Sequence, residues 1–242
     1  MRRVIGNLAW EEEIAGDALA PESSLATMLS VVATVLRVFC RADDELWTPV
    51  AVDPCRLVGL EDLPPPRLVS GPLPTEAAGP VLAWGETTQT AALRVPGEVP
   101  LPQELTSWMD MPWAWPVADP DVACRVSHRQ FDFELAQEWG MALPGAQMIT
   151  SLDDLETHLA GGGAEGSPLL RWVLKAPFSS AGRRRVIGEG TAFEDWRRAE
   201  RLLEQHGSLL FEPWMDREDD FGALGVVLDD GIDVLGTHGQ EV

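Results

Sequence analysis

Positive charge is scarce in this sequence: 18 basic residues stand against 39 acidic ones in 242, a net charge of −21. A surface of that sign repels phosphate backbones and anionic headgroups, so neither nucleic acid nor a membrane is an expected partner. Lysine is almost missing. A single one, Lys175, is present, and arginine carries nearly all the remaining positive charge. Cys40, Cys55 and Cys124 are scattered, odd in number and without a Cys-x-x-Cys pair, which argues against a disulfide framework and for a reducing cytoplasm. No apolar stretch approaches a membrane span, and the run after Met1-Arg2-Arg3 is too short for a signal peptide. No Gly-Lys-Ser/Thr closes a glycine-rich loop, so a Walker-type phosphate loop is excluded.

What is present suffices for a real core: 45% of residues are hydrophobic, enough for one large or two small domains. The first part reads as α/β. Arg3 to Leu8 is a plausible strand, and Trp10 to Ala20 a helix with Glu11, Glu12 and Glu13 where a helix N-terminus favours acids. Ala26 to Phe39 is apolar nearly throughout, and periodicity leaves helix and strand both open. Leu46 to Pro49 and Val81 to Trp84 read as strands, and the Pro/Gly-rich stretch Leu63 to Pro74 as irregular connection. Ser107 to Asp121, with three tryptophans and three prolines, looks like a domain junction.

Beyond it, one helix is expected from Asp121 to a stop at Gly140, then a Leu143-Pro144-Gly145 turn and a strand over Gln147 to Ile149. A helix capped by Ser151 follows, and Gly161 to Ser167 is a loop. Phe193 to His206 reads as an amphipathic helix with Trp196, Ala199, Leu202 and Leu203 inward and Gly207 as stop. It leads to a buried strand from Leu209 to Met215, and Phe221 to Leu228 with Ile232 to Gly236 reads as a hairpin turning at Asp229-Asp230-Gly231.

The chemistry concentrates in Arg171 to Arg185. The apolar run Trp172-Val173-Leu174 ends at Lys175, and Pro177 stops the pairing by removing a ladder donor. Phe178-Ser179-Ser180-Ala181-Gly182 offers backbone N–H groups and hydroxyls, and Arg183 to Arg185 add positive charge. Together they have the chemistry of a polyphosphate cradle. Small residues flanked by like charges have few apolar contacts, so Phe178 to Arg185 is expected to be mobile without ligand. The competing reading is a strand end in water followed by a solvated turn. Glu212, set between Phe211 and Trp214, is expected to have a partner, because a buried carboxylate needs one.

The order of these parts resembles the ATP-grasp family, to which biotin carboxylase and D-alanine ligase belong. The resemblance implies a Rossmann-like α/β domain over residues 1–118 and an α+β ATP-grasp nucleotide-binding region over 119–242, incomplete at its C-terminal end. It implies that Lys175 reaches the α and β phosphates, that Ser179, Ser180, Gly182 and Arg183 belong to the loop closing over them, and that Arg129 stands where the family often has a first phosphate-contacting lysine. It implies further that Glu212 takes the adenine amino group, with Trp214 and Met215 lining the base. The cofactors implied are ATP and Mg²⁺, with the metal ligands expected beyond the end of this chain. The implied reaction activates a small-molecule carboxylate as an acyl phosphate for attack by an amine or similar nucleophile, and a homodimer is compatible with it. Nucleotide binding without efficient turnover is the expectation for this chain alone. The alternatives are a non-catalytic nucleotide-binding or protein-interaction module that kept the fold, and a plain α/β domain without ligand.

Overall fold

In the first half, short apolar runs alternate with helical ones, and strands joined by helical crossovers pair parallel. The computed structural model describes residues 1–16, 19–53, 65–76, 79–93, 119–161, 171–179, 184–215, 218–228 and 231–240. Strands β1 (Arg3–Ile5), β2 (Glu45–Thr48), β3 (Arg67–Ser70) and β4 (Val81–Ala83) form a parallel sheet in the order β3-β2-β1-β4. Helix α1 (Trp10–Ile14) follows β1, α2 (Ser24–Ala33) continues as a 3₁₀ segment over Thr34–Phe39, and α3 (Thr88–Ala92) follows β4. The apolar stretch Ala26 to Phe39 is therefore helical. Ser23 starts it by accepting from the Ala26 backbone N–H at 3.1 Å.

Successive strand side chains point to opposite faces, and here both faces are covered. Val4, Leu36, Leu46 and Leu82 pack on one side, and Ile5, Trp47, Val81, Ala83 and Leu93 on the other. The first strand is shorter than expected. After Ile5 the chain passes so close to α2 that a Cβ on Gly6 would lie 2.6 Å from Ala33 Cβ. Asn7 then bridges to Gly85, its side-chain amide donating to the Gly85 carbonyl at 2.8 Å and its oxygen accepting from the Gly85 N–H at 3.1 Å. Burial, with Asp44 nearby, pushes the Cys40 thiol up to about 12 against the pull of Arg2 and Arg37, which leaves it a packing residue and not a nucleophile.

Charge ties this sheet together. Arg3, Glu45 and Arg67 stand in register across β1, β2 and β3. Arg3 donates to one Glu45 oxygen from Nε at 2.8 Å and from a terminal nitrogen at 2.6 Å, and Arg67 pairs with the other oxygen. One residue earlier, Asp44 accepts from the Arg2 backbone N–H at 2.8 Å, from its Nε at 3.0 Å and from a terminal nitrogen at 2.5 Å. The stretch Leu63 to Pro74, expected to be irregular, thus contains edge strand β3. Its strand state comes from pairing and from Leu68 and Val69 packing on the core, not from local composition.

The second half builds an antiparallel sheet. Helices α4 (Pro120–Ser127) and α5 (Arg129–Glu138) precede β5 (Gln147–Ile149), α6 (Leu152–Gly161), β6 (Arg171–Lys175), β7 (Arg185–Glu189), α7 (Phe193–His206) and β8 (Leu209–Pro213). The strand order is β5-β8-β6-β7. One face packs on α6 and α7 through Ile149, Leu155, Trp172, Leu174, Ala199, Leu203 and Phe211. Gly207 ends α7 in the left-handed conformation at φ 72°. Strands β9 (Asp220–Leu228) and β10 (Gly231–Gln240) pair antiparallel as a separate two-stranded sheet, with an irregularity between Val234 and Gly236.

Two expectations change here. The single helix from Asp121 to Gly140 is two helices, because His128 takes an extended conformation (φ −76°, ψ 125°) and serves as the end of one and the cap of the other. Arg185, read as loop charge, opens strand β7 directly opposite Lys175. Residues 107–118 of the expected junction, residues 162–167 of the expected loop and the turn residues Asp229 and Asp230 lie outside the described residues.

Candidate functional site

The register of β6, β7 and β8 decides what meets what. Val173 lies opposite Glu212, and Lys175 opposite both Leu210 and Arg185. Alternation sends Trp172, Leu174 and Phe211 into the helix-packed core and leaves Val173, Lys175, Arg185 and Glu212 on the other face. Lys175 Nζ donates to Glu212 Oε2 as an ion pair between residues 37 apart in sequence. Their side chains keep 29% and 18% of their exposure, so the pair is shielded but reachable. The partner expected for Glu212 is therefore Lys175.

Beyond β8 the chain continues alongside β6, where the Trp214 N–H donates to the Arg171 carbonyl at 3.0 Å. The Arg171 guanidinium lies 4.8 Å from the centre of the Trp214 ring. Met215 follows and is exposed. Trp214 and Met215, with Leu143 from the Leu-Pro-Gly turn, line a cavity of about 210 Å³ with Lys175, Arg185 and Glu212 at its polar side. Its chemistry is a cation pair and an acid beside an apolar slot with an aromatic wall.

Four of the residues singled out in the sequence, Lys175, Glu212, Trp214 and Met215, converge there. Arg129 and Ser179 sit together elsewhere, at the root of the loop after β6. The Arg129 guanidinium donates to the Ala176 carbonyl at 2.8 Å, to the Ser179 carbonyl at 2.8 Å and to Ser179 Oγ at 2.9 Å. Ser180, Gly182 and Arg183 lie outside the described residues. At the ends of the segment expected to be mobile, Phe178, Ser179 and Arg185 carry specific contacts: a ring contact, the Arg129 bonds and strand pairing. Leu143 was not foreseen as a cavity residue, and Arg185, read as part of the phosphate cradle, reaches the cavity from a strand and not from a loop. The alternation of Arg185, Ile187 and Glu189 with Val186 and Gly188 was the available signal for a strand there.

The ring of His128 stands edge-on to Phe178 with centroids 5.0 Å apart, and its Nδ1 accepts from the Gln130 N–H at 3.2 Å. Burial holds its pKa below the ordinary histidine value, against the opposing pull of Glu134. A neutral ring is what the cap requires.

No protein-family model matches the sequence, and no curated protein matches it. Solved structures do match. D-alanine–D-alanine ligase from Helicobacter pylori superposes with a TM-score of 0.52 at 10% identity, over 99% of this chain and 74% of that one. N5-carboxyaminoimidazole synthetase from Staphylococcus aureus, in complex with ADP, superposes with a TM-score of 0.50 at 10% identity, over 100% of this chain and 54% of that one. Both are ATP-grasp enzymes. The fold of this chain is the ATP-grasp fold. At this identity the likeness is one of architecture, and the chain spans about half the length of the synthetase it matches. ATP-grasp architecture accounts for the order found here, a parallel α/β sheet followed by an antiparallel sheet with helices on one face.

Proposed function

We propose that the chain is an ATP-binding protein of the ATP-grasp type that belongs to a carboxylate–amine ligase or similar enzyme acting through an acyl phosphate. The observation that carries this is the convergence of Lys175, Arg185 and Glu212 with Trp214 and Met215 around one cavity on the face of the antiparallel sheet opposite α6 and α7. In this reading Lys175 and Arg185 meet the phosphates, and Glu212 accepts from the exocyclic amine of the base. Trp214 and Met215 hold its faces. The synthetase neighbour binds ADP, which is the same class of ligand. The cavity is smaller than the roughly 300–1,000 Å³ usual for ligand sites, so a nucleotide fills it in part and extends along the sheet face. Binding then separates Lys175 from Glu212.

Magnesium travels with a triphosphate and needs one or two protein carboxylates. Among the described residues no three His, Cys, Asp or Glu side chains converge as a metal site, and Glu212 is the one carboxylate lining the cavity. With Glu212 held by Lys175, the described lining does not fit a magnesium site.

Titration calorimetry with ATP tests the reading. Parent protein should bind, and Lys175→Ala should lose ~1.5–3 kcal/mol, the scale of a hydrogen bond to a charged group. Equal affinity of the two proteins overturns the assignment of Lys175, and no binding by the parent overturns the function.

A further inference from the structure

We infer that Arg129 is a positioning residue that fixes the root of the loop after β6, and does not contact the phosphates. The inference rests on the nucleotide-binding reading only for its functional consequence. Strand pairing ends just past Lys175: the last bond across the β6–β7 ladder runs from the Ala176 N–H to the Arg184 carbonyl at 3.1 Å. The carbonyls of Ala176, Pro177 and Ser179 then leave the sheet, and backbone acceptors of that kind need donors. One residue supplies all three. The Arg129 backbone N–H donates to Pro177 at 3.0 Å, Nε to Ala176 at 2.8 Å, and one terminal nitrogen to both the carbonyl and the hydroxyl of Ser179.

The helix break at His128 makes this possible. By taking an extended conformation, His128 frees the next residue to begin a new helix with its N–H pointing at the loop, and its own ring packs edge-on against Phe178. A guanidinium suits the task because its donors are fixed in a planar fork that reaches separate acceptors at once; an ammonium is a single point and cannot span Ala176 and Ser179. The clamp acts one residue from Lys175, so it sets where the lysine leaves the strand and points toward Glu212.

The two possible roles of Arg129 respond differently to a charge-conserving change. A phosphate contact survives Arg129→Lys and is lost in Arg129→Met. A loop clamp is lost in both. Amide hydrogen exchange on the ligand-free proteins should show the amides of Ala176 and of residue 129, whose N–H groups bond to the Arg184 and Pro177 carbonyls, exchanging at least tenfold faster in both variants, the order expected when a hydrogen bond to a charged group is lost. Exchange in β5 and β8 of the same sheet should stay unchanged and reports that its fold is intact. ATP affinity should then fall by similar factors in the two variants. Unchanged exchange at Ala176 and residue 129 overturns the inference, as does an affinity kept by Arg129→Lys and lost by Arg129→Met. Should Arg129→Met unfold the protein, Arg129→Lys with Ser179→Ala decides the matter by exchange alone. Accelerated exchange in a chain whose parent binds no ATP would leave the clamp standing and remove the nucleotide reading.

Discussion

In the parallel sheet, Asp44 and Glu45 keep 1% and 2% of their side-chain exposure, and their arginine partners Arg2 and Arg3 keep 8% and 13%. In the antiparallel sheet, Lys175 and Glu212 keep 29% and 18% and face a cavity. Both sets of charges bridge neighbouring strands, yet their consequences for the molecule are opposite. A sealed pair cannot be exchanged for a ligand, and losing one partner strands the other in a medium that does not solvate it. A pair at a cavity wall can be parted by a ligand that offers each member a replacement.

The sharpest break of this comparison is Asp44→Ala. It leaves Arg2 buried without its carboxylate and should cost ~3–5 kcal/mol in stability, measured by urea denaturation. A loss as small as that of an exposed pair would show that the seal is not real. Next is Gly188→Ala, on the packed face of the antiparallel sheet. A Cβ there would sit 2.1 Å from the Trp172 ring, and overpacking of this kind should cost ~1–3 kcal/mol, seen as a lower denaturation midpoint. Lys175→Ala should be the reverse of Asp44→Ala. Its stability loss should stay within ~1 kcal/mol, the range of partly solvated ion pairs, while ATP affinity falls. Equal stability losses for the two substitutions would make Lys175–Glu212 a structural pair.

Acidification sharpens the comparison further. Burial alone would raise the Asp44 carboxyl, but its bonds from Arg2 and from the Arg41 and Arg2 backbone hold it below the ordinary value of 3.8. The stability it lends is thus complete above pH 3.8 and is lost as pH falls through the lower folded value. Acid unfolding of the parent should show this loss, and a conservative Asp44→Asn variant should not. The smallest effect belongs to His128. Its folded pKa lies below 6.5, so its contribution is present above pH 6.5 and fades as pH falls through the folded value. Exchange of the Gln130 amide should quicken over that range as the protonated ring ceases to accept its bond, and a flat profile there would remove the cap.

The elements legible in the sequence are those whose signals are local. Gly207 after an amphipathic run, Ser151 before two acids, and an apolar run ending in Lys175 each announce themselves, and the helix stop, the helix start and the strand are where they point. The others depend on partners far along the chain. β3 is a strand because Arg67 meets Glu45 and Leu68 meets the core, which its flanking prolines and glycines conceal. Nothing in Ser127-His128-Arg129 marks a helix break, and the bonds that reward it come from residues 47 and 50 positions later. Much of the candidate site was visible as Lys175, Glu212, Trp214 and Met215. That Lys175 touches Glu212 was not, since alternation names the face of a strand and only register names its neighbour.

Lys175 also bears the sole side-chain amine of the molecule, and the fold has placed it in the wall of the cavity. Any reagent that acylates lysine can therefore modify the side chains of this protein at one address. The extent of acylation on the peptide that carries Lys175, read apart from the α-amine of Met1, becomes a measure of how reachable that cavity is, and a compound that suppresses it declares itself an occupant, whatever reaction the cavity serves.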